Sequence, residues 1–278
     1  MPTDRVKPLI DWATKRLMAV DCETPHLDAR LLFQYAARRS REDIILNPGS
    51  GVPFAEAERF RKLIARREAH EPVSRIMGER EFYGRLFQVT PAVLDPRPDT
   101  ETLIDAALGF MGAQAGILDL GTGTGAIIVT LLAERADATG LATDLSAAAL
   151  AVAQVNADRL GVAPRLSFAE GSWFEPVADR FDLIVSNPPY IAAEDIALLE
   201  PDVRNFDPVL ALSGGADGLD PYRAIAAGAS LHLAEDGTVL VEIGAGQADA
   251  VEAIFIPYFT PAGRFVDLGG HVRCLAFR

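Results

Sequence analysis

Cysteine is nearly absent: Cys22 and Cys274 stand near opposite ends of a 278-residue chain. Two such residues build neither a disulfide framework nor a zinc site, and they suit a reducing cytoplasm. The four histidines, His26, His70, His232 and His271, do not cluster in sequence, so a metal centre or a Ser–His relay has no support. Long hydrophobic runs are missing too. The longest stretch without a charged residue, Leu120–Ala133, is fourteen residues studded with Gly and Thr, against about 20 apolar residues for a membrane span. Residues Met1–Trp12 carry Asp4, Arg5, Lys7 and Asp11 with no apolar run behind a basic cap, so neither a signal peptide nor a transit peptide is expected. Lysine stops at Lys62.

What remains is an ordinary globular mix, 49% apolar and 23% charged, long enough for about two domains at roughly 150 residues each. The net charge of −13 is uneven. Residues 1–85 hold 16 Lys/Arg against 13 Asp/Glu, and residues 86–278 hold 10 against 26. So acidic a body repels long nucleic acid, whose phosphates need clustered cations. The mildly basic first part reads as a solvated helical surface.

The first third is helical. Leu9, Trp12, Ala13, Arg16 and Leu17 have helical spacing, as do Leu27, Leu31, Leu32, Tyr35 and Ala36. Residues 21–25 and the run Asn47–Pro53 are breaks, and 54–70 resumes as a charged helix. Residues 81–89 read as a β-hairpin turning at Gly84, with Phe82, Tyr83 and Phe87 as its core. Pro91, Pro96 and Pro98 stiffen the following segment. The expected division is a helical domain over 1–76, a hairpin and Pro-rich connector over 77–98, and a catalytic domain over 99–278. The last part alternates strand and helix. Strands are predicted at 116–120, 139–144, 165–169, 181–186 and 237–243, helices at 126–136 and 146–160 with Ser146 as N-cap, and an antiparallel hairpin at 264–277. The fold class is therefore α/β: a mostly parallel, Rossmann-like seven-stranded sheet with an antiparallel C-terminal hairpin.

Between the first strand and first helix of that sheet runs Asp119-Leu-Gly121-Thr122-Gly123-Thr124-Gly125. Glycines there let the backbone turn tightly and approach a ligand, at the strand ends where open α/β sheets bind. Asp144, at the end of the second strand, can accept from both hydroxyls of a ribose. Loop and acid imply an adenosine-containing cofactor. Gly121-x-Gly123-x-x-Ala126 also fits a dinucleotide fingerprint, so the glycines alone leave a nicotinamide or flavin dinucleotide and S-adenosylmethionine both open. Asp119 favours the methyl donor, which brings an ammonium and a sulfonium where a pyrophosphate would be repelled.

Asn187-Pro188-Pro189-Tyr190 follows the fourth strand and faces the same crevice. Its prolines fix two φ angles and remove two donors, leaving a rigid turn rich in acceptors, with Tyr190 as a flat face. Two acceptors, the Asn187 side-chain oxygen and the Pro188 carbonyl, can each take one N–H of a planar NH2 group and help its lone pair leave conjugation. A carboxamide, an adenine amine or a cytosine amine would suit. Arg97 is a candidate substrate contact, while Glu242, at the end of the fifth strand, is expected to be solvated.

Asp119–Gly125, Asp144 and Asn187–Tyr190 resemble the class I S-adenosylmethionine-dependent amino-methyltransferases. Arg80-Glu-Phe-Tyr83, Pro96-Arg-Pro-Asp-Thr-Glu101 and Asp267-x-Gly269…Arg273 make the chain similar to the HemK/PrmC family, the release factor glutamine methyltransferases. The resemblance implies methyl transfer from S-adenosylmethionine, leaving S-adenosylhomocysteine, to the side-chain amide of the glutamine in the Gly-Gly-Gln loop of class 1 peptide chain release factors. It implies that Asn187, Pro188, Pro189 and Tyr190 act on that amide. It also implies that Gly121 to Gly125, Asp144, Ser172, Trp173 and Asn187 bind the donor, and that the helical domain helps grip the release factor. A ribosomal-protein glutamine and a nucleic-acid amine are the alternative acceptors. The partner is a protein, with no membrane or direct nucleic-acid contact, and the chain is expected to act as a monomer. Two positions depart from the family pattern. Ser172 stands where an acid often precedes Trp173, with Glu170 two residues earlier, and Asp95 stands where an aliphatic residue is usual.

Overall fold

The computed structural model describes residues 4–278, and the chain divides between Gly78 and Glu79 into two compact units. In the first unit, β1 (Asp4–Arg5) pairs antiparallel with β2 (Gly51–Val52). Around them lie α1 (Val6–Met18), α2 (Pro25–Ala37), α3 (Arg41–Leu46), α4 (Phe54–Glu68) and α5 (Val73–Met77). The predicted apolar faces meet in one core, with Leu9, Leu17, Leu32, Phe33, Phe60 and Ile64 buried. Trp12, on the apolar face of α1 read from the spacing, is partly buried and packs against that core. It meets Phe60 edge-on and carries the Arg16 guanidinium over its outer face, 5.3 Å from the ring centre.

The second unit begins with the hairpin β3 (Glu79–Phe82) and β4 (Arg85–Gln88). Tyr83 and Gly84 form its turn at φ 50° and 69°. Phe82 and Phe87 are buried as expected; Tyr83, in the turn, is partly buried and packs against that core, and its hydroxyl donates to Asp105 at 2.7 Å. A 3₁₀ turn at Pro98–Thr100 leads into α6 (Glu101–Phe110). Then follow β5 (Gly116–Leu120), α7 (Ala126–Glu134), β6 (Thr139–Asp144), α8 (Ala147–Arg159), β7 (Leu166–Glu170) and β8 (Phe181–Ser186). After them come α9 (Pro201–Arg204), α10 (Asp220–His232), β9 (Leu233–Glu242), α11 (Ala248–Phe255), β10 (Pro261–Val266) and β11 (Val272–Phe277).

The seven strands β5 to β11 form one sheet in the order β10-β11-β9-β8-β5-β6-β7, parallel except for β10 and β11. Two layers of side chains cover it. Leu103, Ile104, Ile128 and Leu131 pack on one face, and Tyr222, Ile225, Val251 and Phe255 on the other. The central strands are buried on both faces, so their sequences run continuously apolar. Strand β9 starts at Leu233, four residues earlier than its apolar run suggests, because Leu233 pairs with Phe181 before the register shifts at Leu183. The Ser146 side chain caps α8, accepting from the Ala149 N–H at 3.2 Å.

Chain order runs outward from β5 to β7 and then returns to β8 on the other side of β5. The carboxyl end of β5 is therefore the switch point of the sheet, where an open crevice is left. Among the described residues, no helix is long and apolar enough to cross a membrane.

Candidate active site

At the switch point the chain must turn from β5 into α7 within five residues. Gly121, Gly123 and Gly125 take φ of 69°, 55° and 78°, a region that side chains disfavour. The Gly121 and Thr122 N–H groups donate to the Thr143 carbonyl at 2.9 and 3.0 Å, which ties the loop to β6. Gly123 donates to Asp144 Oδ2 at 2.9 Å, and Ser146 donates to Asp144 Oδ1, also at 2.9 Å. Asp144 thus fixes the loop and still has lone pairs for a ligand. Burial raises its pKa. Asn156 on α8 locks the far end of the loop: fully buried, it donates to the Thr124 carbonyl at 2.9 Å and accepts from the Gln88 N–H at 2.7 Å.

Asp119 lies behind the loop with no solvent exposure. The Thr122 hydroxyl donates to its Oδ2 at 2.6 Å, and its Oδ1 has no hydrogen-bond partner among the described residues. Burial, with the nearby Asp144 charge, pushes its pKa up to about 7.

Across the crevice, β8 ends at Ser186, whose hydroxyl donates to the Leu120 carbonyl at 2.8 Å and fastens the two central strands. Asn187 comes next and donates from Nδ2 to the Thr100 hydroxyl oxygen at 3.2 Å. Pro188 is buried, while Asn187, Pro189 and Tyr190 are partly buried. The Tyr190 carbonyl accepts from Gln247 Nε2 at 3.0 Å. Burial first, then the Glu242 charge, raises the Tyr190 phenol to about 12, so it stays neutral at any physiological pH. Arg273 on β11 reaches Asp99 at 3.0 Å and Asp267 at 2.8 Å, so the late acid and arginine brace the Pro96–Glu101 segment.

One cavity of about 540 Å³ joins the two halves. Gly121, Thr122, Gly123, Thr124, Asp144, Ser172 and Trp173 line it on one side, and Asn187, Pro189 and Arg97 on the other. Gly125, Pro188 and Tyr190 are not among its lining residues. Gly125 packs helices instead: a Cβ there would lie 3.1 Å from the Ala153 Cβ and 3.2 Å from Val129. Arg97 is braced by Asp207, with Nη2 to Oδ2 at 2.7 Å. Asp95, the unusual residue before Pro96, is buried in the wall. The Ser172 N–H donates to Glu175 Oε2 at 3.0 Å. Glu170 is exposed and does not reach the cavity. Trp173 sits at φ 48°, a costly conformation for a bulky side chain.

Three features were not anticipated. Glu242 is 2% exposed rather than solvated, because Cys274 of β11 pairs beside it and covers the strand end. Burial raises its carboxyl to about 7, while hydrogen bonding from the Thr100 and Asn187 side chains pulls the other way. Thr100 lines the cavity, beyond its role at the start of α6. The segment 208–221, with Gly214, Gly215 and Asp220, supplies the remaining wall, and the glycine pair after the fourth strand was the signal available for it.

Known proteins fit this geometry. Residues 8–78 match the family described as PrmC N-terminal domain, and residues 100–200 the family described as Methyltransferase small domain. The release factor glutamine methyltransferase of Cereibacter sphaeroides is 52% identical over 242 residues, covering 87% of this chain and 86% of that protein. That of Agrobacterium fabrum is 46% identical over 273 residues, covering 96% and 94%. Among solved structures, a methyltransferase from Pyrococcus furiosus superposes with a TM-score of 0.54 at 18% identity, covering 70% of this chain and 89% of that one. The ribosomal protein L11 methylase of Lactobacillus delbrueckii gives 0.50 at 23%, covering 71% and 89%. These two speak for the fold alone. With near-complete coverage at 46–52% identity, this chain belongs to the release factor glutamine methyltransferase family.

Proposed function

We propose that the chain transfers a methyl group from S-adenosylmethionine to the side-chain amide nitrogen of the glutamine in the Gly-Gly-Gln loop of class 1 peptide chain release factors. One observation carries this reading beyond family membership: a single cavity connects the glycine loop and Asp144 with Asn187. The residues present fit the donor. Asp119 keeps an unpartnered oxygen buried behind the loop, and Asp144 lines the cavity, so the site favours a ligand that brings positive charge.

Gly121 to Thr124 would hold the amino-acid part of the donor, Asp144 its ribose, and Ser172 with Trp173 its adenine. When bound, the donor supplies an electrophilic methyl carbon on a sulfonium sulfur. The protein's task is positioning. Asn187 Oδ1 and the Pro188 carbonyl each accept one N–H of the glutamine amide, and Pro189 and Tyr190 stiffen and flank the turn. Those two hydrogen bonds orient the nitrogen lone pair and strengthen as positive charge develops on nitrogen. The nitrogen becomes acidic only once alkylated, so no strong base is needed. Arg97 guides the substrate at the rim, and the helical unit grips the release factor. The chain works in the cytoplasm as a monomer, and the acid excess over residues 86–278 argues against a nucleic-acid acceptor.

The test offers labelled donor to purified chain with a release factor, a ribosomal protein and DNA in separate reactions. Label is expected in the release factor. Label in DNA or in the ribosomal protein alone would overturn the assignment.

A further inference from the structure

Two sequence motifs, Pro96–Glu101 and Asp267…Arg273, meet in space from the two ends of the second unit. Arg273 Nη2 reaches Asp99 Oδ2 at 3.0 Å, and Arg273 Nε donates to Asp267 Oδ2 at 2.8 Å. Asp267 Oδ1 accepts from the His271 N–H at 2.9 Å, so the acid is held by the turn between β10 and β11. The Arg273 carbonyl accepts from the Ile243 N–H at 2.9 Å, which fixes the arginine main chain beside the end of β9. The guanidinium therefore rests on firm support: the Asp267 side chain is 6% exposed and that of Arg273 18%.

Asp99 lies in the 3₁₀ turn Pro98–Thr100, and Thr100 is the next residue. The Thr100 hydroxyl oxygen accepts from Asn187 Nδ2 at 3.2 Å, and Thr100 is buried in the cavity wall. Committing the amide nitrogen to Thr100 leaves the oxygen as the end that can accept from a substrate N–H. On the other side of Thr100, Glu101 Oε1 accepts from the Tyr83 N–H at 2.9 Å, so the turn is tied on both flanks. Neither Asp99 nor Arg273 lines the cavity. The Asp99 side chain is 45% exposed, and an ion pair to so exposed a carboxylate adds little to stability. Its effect is on position: it sets where the turn, and the hydroxyl at its end, stands against the residue that follows β8.

We propose that Arg273 is a positioning residue: by holding Asp99 it places the Thr100 hydroxyl, and through that hydroxyl it places the Asn187 amide that receives the substrate. A turn free to shift by about 1 Å loses the bond to Asn187, and misplacement on that scale costs up to about 100-fold in rate. The inference rests on the methyl-transfer reading above and assigns a role within that same site.

The experiment measures steady-state methyl transfer to a release factor, together with calorimetric binding of S-adenosylhomocysteine. The variants are Arg273→Met, Asp99→Ala, Asp99→Asn, Thr100→Val and the double variant Asp99→Ala with Thr100→Val. Arg273→Met, Asp99→Ala and Thr100→Val should each lose roughly 10- to 100-fold in kcat, with S-adenosylhomocysteine binding within about twofold of wild type. Asp99→Asn keeps an oxygen for Arg273 and should recover most of the rate. In the Thr100→Val chain, adding Asp99→Ala should change kcat by less than about twofold, because the hydroxyl that Asp99 places is already gone. Wild-type kcat for Asp99→Ala would overturn the proposal. So would a double variant in which the two losses multiply, or a loss of product binding as large as the loss of rate, because the ion pair would then support the fold and not Asn187. If Arg273→Met, which leaves Asp267 unpaired, does not fold, the Asp99 and Thr100 variants decide alone. A wild-type chain that transfers no methyl to the release factor refutes the functional reading and the positioning role with it. An active wild type with an unaffected Asp99→Ala refutes the positioning role only.

Discussion

Replacing Asp144 by alanine separates donor binding from catalysis. Asp144 Oδ2 holds the Gly123 N–H and Oδ1 the Ser146 N–H, each at 2.9 Å, so the carboxylate both shapes the loop and faces the ligand. Two further hydrogen bonds to ribose hydroxyls are worth about 1.5–3 kcal/mol each when the acceptor is charged. Burial already disfavours the ionised group, so the lower end applies. A loss of roughly 3 kcal/mol corresponds to about two decades in Kd. The assay is isothermal titration with S-adenosylhomocysteine at fixed pH and salt, with Asn187→Ala alongside. Asn187→Ala should bind the product about as well as wild type, yet turn over far more slowly, because it loses an acceptor used by the substrate amide. Equal losses of affinity in the two variants, or an Asp144→Ala that binds like wild type, would refute this division of roles.

Three further outcomes are expected. Asn156→Ala leaves the Thr124 carbonyl and the Gln88 backbone without their buried partners and should cost about 2–4 kcal/mol of stability in denaturant unfolding; an unchanged midpoint would contradict the locking role. Asp119, raised to about 7, is increasingly protonated as pH falls below neutrality, and a cationic donor favours its ionised form. S-adenosylmethionine binding should therefore tighten as pH rises from about 6 to 8, by at most about one decade per unit, with Asp119→Asn flattening the profile; an identical slope in the variant would exclude Asp119 as its source. Glu242 has a folded pKa of about 7, raised from 4.5, so the folded state keeps its proton longer than the unfolded state. Stability from this group is full below about 4.5 and is lost as pH rises toward 7, so Glu242→Gln should gain on wild type over that window, by at most about 1.4 kcal/mol per pH unit. Parallel stability curves for the two proteins would contradict this.

Local signals carried most of the sheet. The alternation of apolar runs and helical spacing located β5 to β8 within a residue or so, and Ser146 marked the start of α8, because these patterns reflect burial and capping within a few residues of chain. Features set by distant pairing were hidden. The early start of β9 depends on Phe181, the β1–β2 pair joins residues nearly fifty apart, and Glu242 is paired with Cys274 on the adjacent strand β11, more than thirty residues on. Tyr83 packs against the hairpin core but is only partly buried, because the turn holds it at φ 50°. In the candidate site, the glycine loop, Asp144 and Asn187 were visible as motifs. Thr100 stood inside the Pro96–Glu101 motif without a role, and Gly214, Gly215 and Asp220 carried no motif, since each becomes part of the wall only through the path of loops whose sequence has no period.

The most direct measurement is mass spectrometry of a release factor co-expressed with the chain, read on the Gly-Gly-Gln peptide. One added methyl on the glutamine side chain is predicted with the wild-type chain, and almost none with Asn187→Ala. An unmodified glutamine beside an active wild-type chain, or equal modification by Asn187→Ala, would contradict the claim that this turn delivers an amide nitrogen to the methyl donor.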